Sequence, residues 1–362
     1  MTETPLLDIP SSNHSENQSN STVCPELEDW WNIVYYILPK YINTVCVIGM
    51  LGNAFVLITY SLHKGSLKIA EIYLMNLAVA DLIFLMCLPF WAENISNGFS
   101  WPFGTFLCRS ISTSITLNMY TSIYLLVAVS ADRYLTFVHT LNHREIWSKT
   151  MTRGICLLIW FFCILLSIPA FMFRTVKDFP QWNISSACSL DFPSPSWETA
   201  ESLVRNIVGF LLPSTAIILL NFSTIRSLQK TARERKALRA KGCKRHKGTK
   251  ATRLIFTVVL MFLFCWTPHH FFVFLDTLFR TEVIRGCFWG ELINFGEQFA
   301  YMLATTNSCI NPVIYVFVGK YFRQKALQVF SQFIPCGFPL RWVSFKEMSS
   351  NFNMFPVRSS LT

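Results

Sequence analysis

Residues 69–95 read IAEIYLMNLAVADLIFLMCLPFWAENI, a largely apolar block with Glu71 and Glu93 near its ends and a third carboxylate, Asp81, near its middle. About 20 predominantly apolar residues in a helix suffice to cross a bilayer, and this block exceeds that. Six more such stretches lie near 35–61, 105–138, 151–172, 199–229, 249–277 and 291–318. Several contain Pro or Gly, which membrane helices tolerate better than soluble ones. Composition agrees. The 362-residue chain is 52% hydrophobic and 14% charged, against roughly a quarter charged in ordinary soluble domains. A soluble core of this size would need far more polar surface. The expected fold is therefore an all-α integral membrane protein, a seven-transmembrane helix bundle over 35–318.

Charge sets the expected orientation. The loop from Lys230 to Arg253 is dense in Lys and Arg, as are the short loops holding His63, Lys64 and Lys68, and Arg144, Lys149 and Arg153. The positive-inside rule makes these cytoplasmic. Residues 1–34, acidic and without Lys or Arg, are then an extracellular segment lacking a cleavable leader, and the first span acts as its own insertion signal. Sequons at Asn13, Asn17, Asn20 and Asn183 all fall outside on this topology, as glycosylation requires. Asn94 also opens an N-x-S sequence but sits close to a helix end. After the seventh span, 319–330 (GKYFRQKALQVF) mixes apolar and basic residues at roughly helical spacing, which suits a short amphipathic eighth helix (319–335) in the inner interface. Residues 336–362 form a cytoplasmic tail. The net charge of +10 flanks apolar spans, so anionic membrane lipids or a cytosolic partner are its expected use, not nucleic acid.

The chain has 12 cysteines, of which Cys24, Cys108, Cys188 and Cys287 are extracellular on this topology. Four cysteines in an oxidising compartment allow three pairings. Cys108–Cys188 and Cys24–Cys287 are the favoured ones. Cys336 stands just past the inner interface, where palmitoylation is plausible.

Ionisable residues within spans are rare and usually functional. Asp81 has candidate companions in Asn53, Asn118, Ser122, Asn307, Ser308 and Asn311; Asn118 and Ser122 share a helix face, as do Asn307 and Asn311. A hydrated Na⁺ or a water-filled network around a protonated Asp81 both suit them. Cys108 and Arg133 are 25 residues apart, about 37 Å of helix, so Cys108 can sit outside while Asp132-Arg133-Tyr134 reaches the inner mouth. There Asp132 can hold Arg133 until a cytosolic partner competes for it. Pro213, Pro268 and Pro312 each remove a backbone hydrogen bond and permit a bend, the latter two within Cys265-Trp266-Thr267-Pro268 and Asn311-Pro312-Val313-Ile314-Tyr315.

With Gly52-Asn53 and Trp160, these residues make the chain resemble the rhodopsin-like G-protein-coupled receptors over nearly all of 35–330. The resemblance implies a ligand pocket outside and G-protein engagement inside after the sixth helix swings outward. Asn221 departs from it, since many such receptors carry Tyr there. Longer strings resemble the bradykinin (kinin) receptors: AEIYLMNLAVADLIFLMCLPFWAENISN at 70–97, FRTVK at 173–177, NIVGFLLP at 206–213, FLDTL at 274–278, RGCFW from Arg285 and TNSCINPVIYVFVGKYFR up to Arg323. That family implies a peptide ligand with Arg at one or both ends. Asp276 matches its acidic anchor for the peptide's amino-terminal Arg; the family's second acid is replaced by Asn294, whose charge Glu297, on the same face as Asn294 and Tyr301, can supply. Arg174 suits the peptide's terminal carboxylate, and Trp266, the large aromatic beside the Pro268 bend, is a further ligand-binding candidate. The subtype preferring kinins without the C-terminal Arg has a Lys at Thr116 and an Arg at Glu201, so the chain leans towards intact kinins. The resemblance also implies Gq-class coupling with calcium release, and the tail serines suit arrestin binding.

Angiotensin- and chemokine-type peptide receptors are similar in several of these features. An intramembrane enzyme would need paired catalytic groups such as H-E-x-x-H, which do not occur, so no catalytic residue and no cofactor beyond Na⁺ is expected. A transporter or channel built from repeats would show internal repetition, and none is visible.

Overall fold

The computed structural model describes residues 28–138, 148–180, 184–238 and 249–332. The elements run α1 (Glu28–Leu62), α2 (Ile69–Ser96), α3 (Gly104–Val138), α4 (Lys149–Phe173), β1 (Arg174–Phe179), β2 (Ile184–Leu190), α5 (Pro195–Asn206), a π-turn (Ile207–Leu211), α6 (Leu212–Leu238), α7 (Thr249–Arg280), α8 (Cys287–Phe317) and α9 (Lys320–Phe330). α5, the π-turn and α6 together form the fifth span. Six spans are long and apolar enough to cross a membrane, and α8 with α9, bent by 83° at their junction, makes the seventh.

The expected helices are present, most of them extended by a few residues at one end or both, whereas the amphipathic helix covers Lys320–Phe330 and not the whole of 319–335. The first is already helical ahead of the expected 35, where Trp31 and Tyr35 pack on Phe99. The chain is also not purely helical: β1 and β2 form an antiparallel hairpin, with Arg174 opposite Leu190 and Val176 opposite Cys188. Pro213 explains the π-turn. It has no N–H to give the Gly209 carbonyl, so the turn before it widens to a bond from Leu212 N to Ile207 O. Gly209 fits there because a Cβ would lie 2.6 Å from the Tyr120 ring on α3.

Leu157, Leu158 and Phe161 on α4 and Leu260 and Phe264 on α7 are exposed. Large apolar side chains left open on a helix this apolar suit lipid contact. Inside, Trp160 ties α4 to α2 through an Nε1–H bond to Asn76 Oδ1 at 3.0 Å. α9 folds back under the bundle: Phe322 packs on Phe55, Tyr60 and Tyr315. Lys325 Nζ reaches Glu71 at 2.7 Å, and Lys68 Nζ sits 3.8 Å over the Tyr321 ring.

Candidate functional site

A disulfide between Cys108 and Cys188 clamps the hairpin onto the start of α3. Arg109 Nε donates to the Arg174 carbonyl at 2.8 Å, and Trp101 N to the Ser186 carbonyl at 2.8 Å. These bonds hold Arg174 over a cavity, about 650 Å³ with its solvent-open mouth counted, among α2, α3, α4, the fifth span, α7 and α8. Its lining includes Thr116, Arg174, Glu201, Trp266 and Tyr301, five of the residues singled out from sequence. Arg174 is buried and donates to the Cys188 carbonyl at 3.1 Å. Burial pushes its guanidinium down to about 10, with Arg205 adding to the fall and Glu201 opposing it, so it stays cationic at neutral pH. The Thr116 hydroxyl donates to the Ser112 carbonyl at 3.0 Å. Trp266 Nε1 and Tyr301 Oη are buried without a hydrogen-bond partner among the described residues.

Among the lining residues not singled out from sequence, two are titratable, Arg205 and His269. Arg205 pairs with Glu201 at 2.7 Å across one helical turn, so Glu201 is already matched by a cation. His269 also lines the cavity, with a buried and unpartnered Nδ1. An acid and a base four apart inside an apolar span were the available signal for Arg205.

Asp276, Asn294 and Glu297 do not line this cavity. All three are buried nearer the hairpin end of the bundle; Asp276 stands about 15 Å of helix beyond Trp266. Asp276 Oδ2 accepts from Arg280 Nε at 2.8 Å, and Arg280 Nη1 also pairs with Glu198 on α5.

Deeper in the bundle, Asp81 gathers three helices. Its Oδ1 accepts from Asn118 Nδ2 at 3.1 Å and Ser308 Oγ at 2.8 Å, and its Oδ2 from Asn311 Nδ2 at 3.0 Å. Asn53 joins from α1 through the Ser308 carbonyl at 2.8 Å. Ser122 and Asn307 do not reach Asp81; their side-chain polar atoms are buried without partners, as are the Oδ1 atoms of Asn118 and Asn311.

At the far end Asp132 and Arg133 form an ion pair, Asp132 buried and Arg133 Nε 2.9 Å from its Oδ2. Tyr134 is half-buried and Tyr315 buried, its hydroxyl unpartnered. Asn221 donates to Ser130 Oγ at 3.1 Å, bridging the fifth span to α3 where the resemblance led one to expect Tyr. Cys287 is disulfide-bonded. Its expected partner Cys24 lies outside the described residues, as do Asn13, Asn17, Asn20, Asn183, Cys336 and the tail serines.

The family model for the 7 transmembrane receptor (rhodopsin family) matches residues 52–315. The B1 bradykinin receptor of Homo sapiens is 45% identical over 332 residues, covering 91% of this chain and 93% of the relative. That of Macaca mulatta is 45% identical over 336 residues, 92% and 94% of the two chains. That of Rattus norvegicus is 43% identical over 334 residues, 89% and 98%.

Proposed function

The chain belongs to the bradykinin receptors of the rhodopsin family of seven-transmembrane receptors, and from that premise we propose that its cavity takes the carboxyl end of a kinin peptide. The observation that carries this is Arg174, a buried cation held over the cavity by the hairpin and the Cys108–Cys188 disulfide. A guanidinium binds a carboxylate through two parallel hydrogen bonds. The peptide's amino-terminal Arg goes to Asp276, with Glu297 near it and Asn294 a neutral neighbour on α8. Binding at the extracellular face then favours release of Arg133 from Asp132, with Tyr134 and Tyr315 beside the G-protein contact. We assign the signal to a Gq-class G protein and calcium release, ended by arrestin on the tail, in the plasma membrane with the amino terminus outside.

Asp81 fits a Na⁺. Hard cations take oxygen ligands, and the buried, unpartnered Oδ1 atoms of Asn118 and Asn311, whose amides already bond the carboxylate, supply them, with the Ser122 hydroxyl one turn along α3 from Asn118. Asn307 adds another. Water in the same space serves the same polar atoms.

Glu201 decides between two peptide ends. In the first reading, an intact kinin's C-terminal Arg competes with Arg205 for Glu201. Arg205 supports a second, since Arg174 and Arg205 together outnumber the one acid in the lining and suit a peptide ending in a carboxylate alone. Calcium release in cells without kinin receptors is expected at lower concentrations of intact than of C-terminally des-Arg kinin. Glu201→Gln should shift the preference towards the des-Arg peptide by roughly tenfold, the worth of one charged hydrogen bond. The reverse order in the unmodified receptor would install the second reading.

A further inference from the structure

Asp276 is buried, and its two oxygens differ in their surroundings. Oδ2 accepts from Arg280 Nε at 2.8 Å, whereas Oδ1 is buried without a hydrogen-bond partner. A guanidinium can serve both oxygens of a carboxylate at once. Arg280 does not, because its Nη1 turns to Glu198 on α5. One cation is thus divided between acids on two different spans. The Arg280 and Glu198 side chains keep 21% and 25% of their exposure, against 7% for Asp276. Arg280 and Glu198 are thus the more accessible members of the three.

We propose that Arg280 is an internal competitor for the peptide's amino-terminal arginine, occupying Asp276 in the peptide-free receptor and retiring to Glu198 when the peptide's guanidinium takes that carboxylate. The inference rests on Asp276 being the peptide's anchor. In the exchange Asp276 trades one guanidinium for another, and Glu198 retains Arg280. A ligand whose site is free only part of the time binds more weakly by that fraction. Arg280 accordingly sets how strongly an amino-terminal Arg is selected.

The test is displacement of a radiolabelled intact kinin from membranes carrying the full chain. Competitors are the intact kinin and an analogue with norleucine in place of the amino-terminal Arg. The ratio of their affinities measures the arginine's contribution and is independent of expression level. Arg280→Gln is expected to raise this ratio by roughly threefold to tenfold. Glu198→Gln, which removes the acid that draws Arg280 Nη1 away from Asp276, is expected to lower it, and carries the test alone if Arg280→Gln fails to reach the membrane. Ratios unmoved by either substitution would overturn the proposal. Asp276→Asn separates the two levels of the argument. If it brings the ratio towards one, the anchor holds and an unmoved Arg280→Gln ratio removes the competitor only. If it leaves the ratio unchanged, the anchor falls and the competitor with it.

Discussion

A receptor with Cys108 replaced by Ser is expected to lose high-affinity peptide binding, its affinity falling by well over tenfold. The disulfide joins residues 80 apart, and closing a loop of that length is worth about 4–5 kcal/mol of chain entropy. Without it the hairpin keeps the bond from Arg109 Nε to the Arg174 carbonyl and that from Trp101 N to the Ser186 carbonyl. Each contributes only about 1 kcal/mol net, too little to hold the hairpin in one place. Arg174 is on that hairpin, so the cavity loses the cation proposed to bind the peptide's carboxylate along with its cover. Saturation binding on membranes checks this, with Cys87→Ser as the control because Cys87 is a free thiol within α2. Retained affinity in Cys108→Ser would mean that Arg174 is held by other contacts or is not needed by the ligand.

Replacing Lys325 by Met is expected to lower the thermal midpoint of the solubilised receptor by about 5–10 °C, corresponding to about 2–4 kcal/mol. Glu71 Oε2 accepts from Lys325 Nζ at 2.7 Å and from the backbone N–H of Lys68 at 2.7 Å, so one carboxylate both caps α2 and anchors α9. Both side chains are nearly buried, at 11% and 8% exposure. Removing only the cation strands a buried anion, which is the costly way to break such a pair. The double substitution Glu71→Leu with Lys325→Met removes both charges and should recover part of the loss. A double variant as unstable as the sum of its two single variants would show that the ion pair is not the cause.

The bundle was legible because every span must satisfy its backbone internally and bury or show lipid an apolar surface, which writes long apolar blocks into the sequence. Asp81, Asp132-Arg133 and Trp266 were legible for the same reason, since polar or kinked positions stand out against such blocks. The hairpin was not. Its strands are short and partly polar, and its place depends on Cys188 reaching Cys108 on another helix. The Glu71–Lys325 pair joins residues 254 apart, and no local pattern announces it. Arg205 and Arg280 were in principle legible, each four residues after an acid. They change the site's electrostatics because an acid read alone suggests an empty anchor, whereas each of these acids already holds a guanidinium.

Kinin-stimulated nucleotide exchange tests the central claim most directly. The full chain, purified into lipid nanodiscs and mixed with a Gq-class heterotrimer, is predicted to accelerate GTP uptake in proportion to kinin occupancy, and an Asp276→Asn receptor to require a much higher peptide concentration. Correctly folded receptor that binds neither intact nor des-Arg kinin, or that binds them without any change in exchange, would contradict it.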